Sequence, residues 1–222
     1  KLAEAAYWAT FAASRLGNAD MVLKHSKTAE ADTSKLNYLL MYEALAYNQK
    51  GDITKYEETL RRGFELFPLF SFYFPHLVDL YNGLGEFDKV EQLCNDALVI
   101  APENILFLYA LSNVLLSSGQ NDDCIETTKR IIVLNDTIAE PYYNIGMAYL
   151  NKIVELEKSS QRQDKAQIKQ LYKDAMPYLE KYRVLAPDEK KKWAPALYRV
   201  YLNLNMGRQF DDIDKIIGNE KP

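Results

Sequence analysis

The stretch "YNGLGEFDKVEQLCNDALVIAP", residues 81–102, holds two glycines, then apolar residues at three- and four-residue steps, then a proline that ends the pattern. Gly85 within it belongs to a series, because Gly17, Gly51, Gly85 and Gly119 each stand 34 residues apart. After the middle two, a proline follows 17 residues later, at Pro68 and Pro102. A fixed period of this length marks an array of structural repeats. Before the turn at Gly85 the apolar residues are Phe74, Leu77, Val78 and Tyr81; after it they are Val90, Cys94, Ala97, Leu98 and Ile100. Each set falls on one face of a helix, so every unit reads as two short helices around its glycine. The glycine permits the left-handed backbone that ends the first helix. "GDITK", "GEFDK" and "GQNDD" then restart the second with acidic residues near its positive end, and the proline blocks continuation.

Composition agrees with a folded array. Of 222 residues 48% are hydrophobic and 26% charged, with only 9 glycines and 8 prolines, which argues against disorder. Sixteen tyrosines against 2 tryptophans and 9 phenylalanines supply many apolar bodies with polar tips, suited to half-wet surfaces. A formal net charge of −4 gives no positive field for phosphate backbones or anionic lipid, so nucleic-acid binding is not expected. No apolar run approaches the roughly 18 residues that a membrane span needs, so no membrane insertion is expected. The chain starts at Lys1 rather than Met, which implies that something upstream was removed, either a secretion signal or a preceding domain.

The residues that carry the period resemble the tetratricopeptide repeat family. In one unit the matching positions are Leu40, Ala44, Tyr47, Gly51, Leu60 and Pro68; in the next they are Phe74, Leu77, Tyr81, Gly85, Ala97 and Pro102. Tyr142, Ile145, Gly146 and Tyr149 open a further unit. The resemblance implies an all-α fold, an α-α superhelix or TPR solenoid of about six antiparallel helix pairs. Units are expected at about 3–34, 37–68, 71–102, 105–136 and 139–187, with a degenerate capping pair at 190–218. Stacked pairs of this kind share one continuous core.

One unit breaks the period. A turn glycine is due at position 153, where Ile153 stands instead, and the closing proline is delayed to Pro187, so about 17 residues have entered, around 153–170. The segment "EKSSQRQDKAQIKQ" is polar and rich in helix formers, which predicts two lengthened helices with a tip near Ser160 to Asp164. Pro177 in the second of them is expected to bend it unless the helix begins later. This late unit, with the run "MPYLEKYRVLAPDEK", is similar to envelope-associated tetratricopeptide proteins of Bacteroidetes-type bacteria, which implies a bacterial protein and favours an exported or periplasmic location over a cytoplasmic one.

In the family, the first helix of each pair lines a concave surface where ligands bind. Carried over, that face comprises Tyr38, Met41, Tyr42, Leu45 and Asn48, then Phe72, His76, Asp79 and Asn82, then Leu106, Tyr109 and Asn113, and finally Glu140, Tyr143, Asn144 and Met147. Tyr7, Trp8 and Phe11 extend it. Aromatic rings with scattered amides suit an extended peptide or a helix of a partner protein. The clamp that holds acidic chaperone tails needs basic residues where this chain carries Met41, Leu45, Tyr109 and Ala110, so that ligand is disfavoured.

No catalytic, cofactor or metal site is expected. The chain has only His25 and His76, neither within a nucleophile or ligand motif, and "GLGEF" follows a helix rather than a strand. The adjacent pairs Asp122–Asp123 and Asp211–Asp212 are read as helix openers. Cys94 and Cys124 fall at small buried positions of the helical pattern, where packing is expected and a disulfide stays open. The function expected is a non-catalytic binding scaffold; the alternative is a self-assembly module that acts through the 151–187 hairpin or an upstream segment.

Overall fold

The computed structural model describes residues 1–158 and 164–218, so most of the expected tip of the long hairpin lies outside the described residues. Twelve α-helices and no strand occur among the described residues. Residues 1–90 and 91–222 form two compact units. The first contains α1 (Leu2–Arg15), α2 (Ala19–Ala29), a 3-10 turn at Thr33–Lys35, α3 (Leu36–Gln49), α4 (Ile53–Leu66), α5 (Tyr73–Leu84) and the start of α6 (Phe87–Ile100). The second contains the rest of α6, then α7 (Ile105–Ser117), α8 (Asn121–Leu134), α9 (Glu140–Lys158), α10 (Lys165–Leu185), α11 (Lys190–Asn203) and α12 (Gly207–Gly218).

The glycine period is a period of backbone geometry. Gly17, Gly51, Gly85 and Gly119 have φ of 67°, 72°, 72° and 79°. The amide that follows each glycine donates five residues back: Asn18 to Ala13, Asp52 to Tyr47, Glu86 to Tyr81 and Gln120 to Leu115, at 2.9 to 3.0 Å. These bonds satisfy carbonyls that a helix end would leave open. The last pair has the same turn without a glycine: Asn205 takes φ 56° and the Met206 amide donates to the Tyr201 carbonyl at 2.9 Å. Asparagine is the residue that best tolerates this region after glycine, so the degenerate pair keeps the turn. The second helices of the first two pairs restart on side-chain caps, with Asn18 accepting from the Met21 amide and Asp52 from the Lys55 amide, both at 3.1 Å, whereas α8 starts at Gln120 without one.

In the first unit α1 and α2 contribute small residues to the core, Ala6, Ala13, Ala19, Val22 and Ala29, packed against Leu39 and Ala46 of α3. Farther along, Tyr56, Leu60 and Phe64 of α4 are buried with Phe74 and Leu77 of α5, the rings of Phe64 and Phe74 lying 6.0 Å apart. Tyr73 is fully buried over Gly63, where a Cβ would meet its ring at 2.2 Å. Its hydroxyl donates to the Asn37 carbonyl. Glu43, on the inner side of α3, is only 7% exposed.

The second unit has a larger core. Ile153, Leu171, Tyr172, Ala175 and Leu179 of the long hairpin pack with Trp193, Leu197 and Val200 of α11 and Ile213 of α12. Both expected lengthenings are present, α9 at 19 residues and α10 at 21. Asp164 caps α10 by accepting from the amides of Ala166 and Gln167, and the helix continues through Pro177. The arms are tied to their neighbours: Asn121 of α8 donates to Glu155 at 2.8 Å, and Arg199 of α11 donates to the Tyr172 hydroxyl at 3.1 Å. Cys94 and Cys124 are free, fully buried thiols whose pKa burial pushes up to about 12 and about 11, so packing is their structural role. Two smaller expectations are corrected. Ile100 is half exposed because its side chain leaves the buried face of Val90, Cys94 and Ala97, and Asp211–Asp212 lie in the second turn of α12 rather than opening it.

Two predictions follow from these contacts. Gly63→Ala should lower stability by about 2–3 kcal/mol, because a fully buried Tyr73 cannot yield to the added carbon, whereas Gly85→Ala, which meets only open space, should cost about 1 kcal/mol through backbone strain alone. Denaturant unfolding checks the order; equal losses would remove the assigned packing at Gly63. Burial, the main cause, pushes the Glu43 carboxyl above the usual range, Glu30 adding to the shift while a hydrogen bond from Ser26 and the charge of Arg62 oppose it. An acid with a raised folded pKa binds its proton more tightly when folded, so its charged form costs stability above that pKa. Glu43→Gln should therefore raise Tm at pH 8, and the gain should shrink as pH falls through the folded-state pKa of Glu43.

Candidate functional site

Two first-helix surfaces carry the expected binding residues, one in each unit. In the first unit, α1 and α3 expose rings on neighbouring turns. Trp8 is 53% exposed and Tyr38 43% exposed, whereas Tyr7 is buried beneath them. Edge-on contacts join Tyr7 to Trp8 at 5.2 Å, Trp8 to Phe11 at 6.0 Å and Phe11 to Tyr42 at 6.1 Å. Tyr38 meets Phe70 edge-on at 5.3 Å. Lys35 places its ammonium 4.5 Å from the Tyr7 ring and 4.9 Å from the Trp8 ring, within cation–π range. Lys35 and Phe70 were not legible as site residues, since both sit in the irregular segments outside the repeat's apolar pattern.

Tyr42 is half-buried, and burial above all pushes its phenol up to about 12, so it stays neutral. Met41 is half-buried, and Leu45, Asn48, Asp79 and Asn82 are exposed. Phe72 lies against His76 at 4.1 Å, and His76 Nδ1 shares a 3.0 Å hydrogen bond with the Tyr56 hydroxyl. Burial lowers the His76 pKa, with the nearby Asp79 opposing the shift. A half-buried neutral ring with a neutral partner is a packing element with one polar edge.

The second unit treats its residues less uniformly. Leu106 is 45% exposed, while Tyr109 and Asn113 are half-buried. Asn144 departs from the expected open position: it is only 5% exposed, and its Nδ2 donates to Ser112 Oγ at 3.1 Å and Asn113 Oδ1 at 2.7 Å. Its amide therefore joins α9 to α7. Tyr143 leans on Tyr182 at 5.0 Å, and Met147 packs on the core. An open cleft of about 400 Å³ lies beside these residues, lined by Ile105, Leu106, Tyr109, Ile131, Ile138, Glu140 and Pro141. Among the described residues no group of three His, Cys, Asp or Glu side chains could hold a metal ion, and no helix is long and apolar enough to cross a membrane.

Asn144→Ala should lower stability by about 1–2 kcal/mol, because it removes the donor to the buried Ser112 and the half-buried Asn113, while Leu106→Ala should change it by less than about 0.5 kcal/mol. Thermal unfolding of the two variants checks this; a neutral Asn144→Ala would return that residue to the open surface.

No family model matches the sequence, and no match was found among curated proteins. Solved structures do resemble it. MamA of Desulfovibrio magneticus RS-1, from residue 41 to its end, superposes with a TM-score of 0.62 at 14% identity, over 84% of this chain and 97% of that one. Human IFIT1, solved as a dimer with m7Gppp-AAAA, gives 0.62 at 14% identity over 92% of this chain and 47% of its own. YrrB, described as a TPR protein with an unusual peptide-binding site, gives 0.55 at 14% identity over 81% and 84%. At such low identity the likeness establishes architecture alone: with the repeated left-handed turns, each unit has the tetratricopeptide-repeat fold of antiparallel helix pairs.

Proposed function

We propose that the protein is a non-catalytic scaffold that binds a peptide or protein segment on the first-helix faces of its repeats. The observation that carries this reading is the exposed ring cluster of α1 and α3, where Trp8 and Tyr38 remain 53% and 43% open although other rings of the same helices are packed. Exposed rings stabilise no core, and they supply rigid contact area at small entropy cost to a partner. A single continuous array of all the units is part of the same proposal. So is an exported setting, which rests on the similarity to envelope-associated tetratricopeptide proteins. Apart from Ala166, the exposed residues near the start of α10, Lys165, Gln167, Lys169 and Gln170, are polar, so the described residues there offer no apolar patch that would favour self-assembly over partner binding.

The test is selection of displayed peptides on the immobilised protein, followed by fluorescence anisotropy of labelled winners. Trp8→Ser/Tyr38→Ser should weaken them at least about tenfold, since each truncation removes surface contact rather than core. Peptides selected and bound equally by the variant, or no selection at all, would sink the reading.

A further inference from the structure

The cleft of the second unit combines an apolar lining with a single carboxylate. It lies where the first turns of α7 and α9 approach the end of α8, and all but one of its lining residues are apolar or aromatic. The exception is Glu140, half-buried at the start of α9, which forms no ion pair among the described residues.

Both walls are fixed by hydrogen bonds that do not involve the lining side chains. Asn104 Oδ1 accepts from the Leu106 and Phe107 amides at 3.0 and 3.3 Å, which sets the start of α7. Asn135 Oδ1 accepts from the Thr137 amide at 3.0 Å, and the Tyr142 hydroxyl donates to the Asp136 carbonyl at 3.0 Å, which sets the loop carrying Ile138. A cleft built this way loses little entropy when it is filled.

We propose that the cleft takes a lysine or arginine side chain of a bound peptide, its methylenes against Leu106, Ile138, Pro141 and the Tyr109 ring and its cation at Glu140. This deepens the scaffold reading and rests on it. An aliphatic side chain would cover the same apolar surface but strand the carboxylate away from water, and an acidic one would be repelled. A long basic side chain satisfies both ends, because its stem is apolar and its head is charged. The formal net charge of −4 favours the approach of a basic segment in the same sense.

The experiment is a methyl-detected NMR titration of the whole chain with N-acetyl-lysine amide, N-acetyl-norleucine amide and N-acetyl-glutamate amide as probes. The Ile105, Leu106 and Ile138 methyls should move with the lysine probe at a Kd roughly three- to tenfold below that of norleucine, and least with glutamate. Glu140→Gln should bring lysine and norleucine to the same Kd, whereas Tyr109→Ala should weaken both together. Methyl signals of Leu179 and Leu197, which do not line the cleft, report whether each variant keeps its core. Equal binding of lysine and norleucine, a preference that survives Glu140→Gln, or methyls unmoved by the lysine probe would each overturn the assignment. Because the titration reads the cleft alone and peptide selection reads the α1 and α3 rings, loss of the cleft with peptides still selected would leave the scaffold standing.

Discussion

Everything in this protein depends on a chain reversal that gives partners to carbonyls a helix end would otherwise leave open. Two helices of about 14 residues cannot bury their apolar stripes unless they fold back on each other over two or three residues, and the left-handed residue does this while the next amide reaches five residues back. Four glycines and Asn205 perform that reversal with φ between 56° and 79°. Spacing between the reversals then sets helix length, and equal helix lengths allow successive pairs to present matching faces.

Where the reversal is absent, the consequences are local. With Ile153 in place of a turn residue, α9 runs on to Lys158 and its partner lengthens to match. The extra turns are not a bare appendage at their base. Ile153, Leu171 and Tyr172 are buried, and Asn121 and Arg199 hold the arms from the two neighbouring pairs. An insertion into a repeat is tolerated here because its apolar residues keep the helical period on both arms, so the core is extended without being interrupted.

The two first-helix surfaces differ in chemical character. The first unit offers rings that touch edge to face, Trp8 and Phe11 open to solvent beside the buried Tyr7, with Lys35 over Tyr7 and Trp8. Such a surface accepts many partners through shape and area. The second unit withdraws its amide, Asn144, into a link between α7 and α9, and beside it leaves a preformed apolar cleft with one carboxylate. On the proposed reading selectivity belongs there, because an unpaired charge in an apolar frame rejects the ligands that cannot answer it.

The sequence by itself determined the helices, their turns, the break at Ile153 and the lengthening of α9 and α10, since these rest on local rules: helical periodicity, left-handed backbone at glycine, and proline as a stop. Its list of first-helix residues was only partly decisive. The family resemblance assigns Tyr7, Tyr38, Asn113 and Asn144 to the ligand-facing sides of their own helices, yet exposure depends on which neighbour covers each one, and that is a long-range property. Tertiary structure alone decided that Tyr7 and Asn144 are buried while Trp8 and Tyr38 are open. It also brought Lys35 over the α1 rings and set Ile138 beside Leu106, residues that lie far apart in the chain and that no local pattern connects. Local rules act through nearest neighbours in the chain, but a binding surface is made of what packing leaves uncovered.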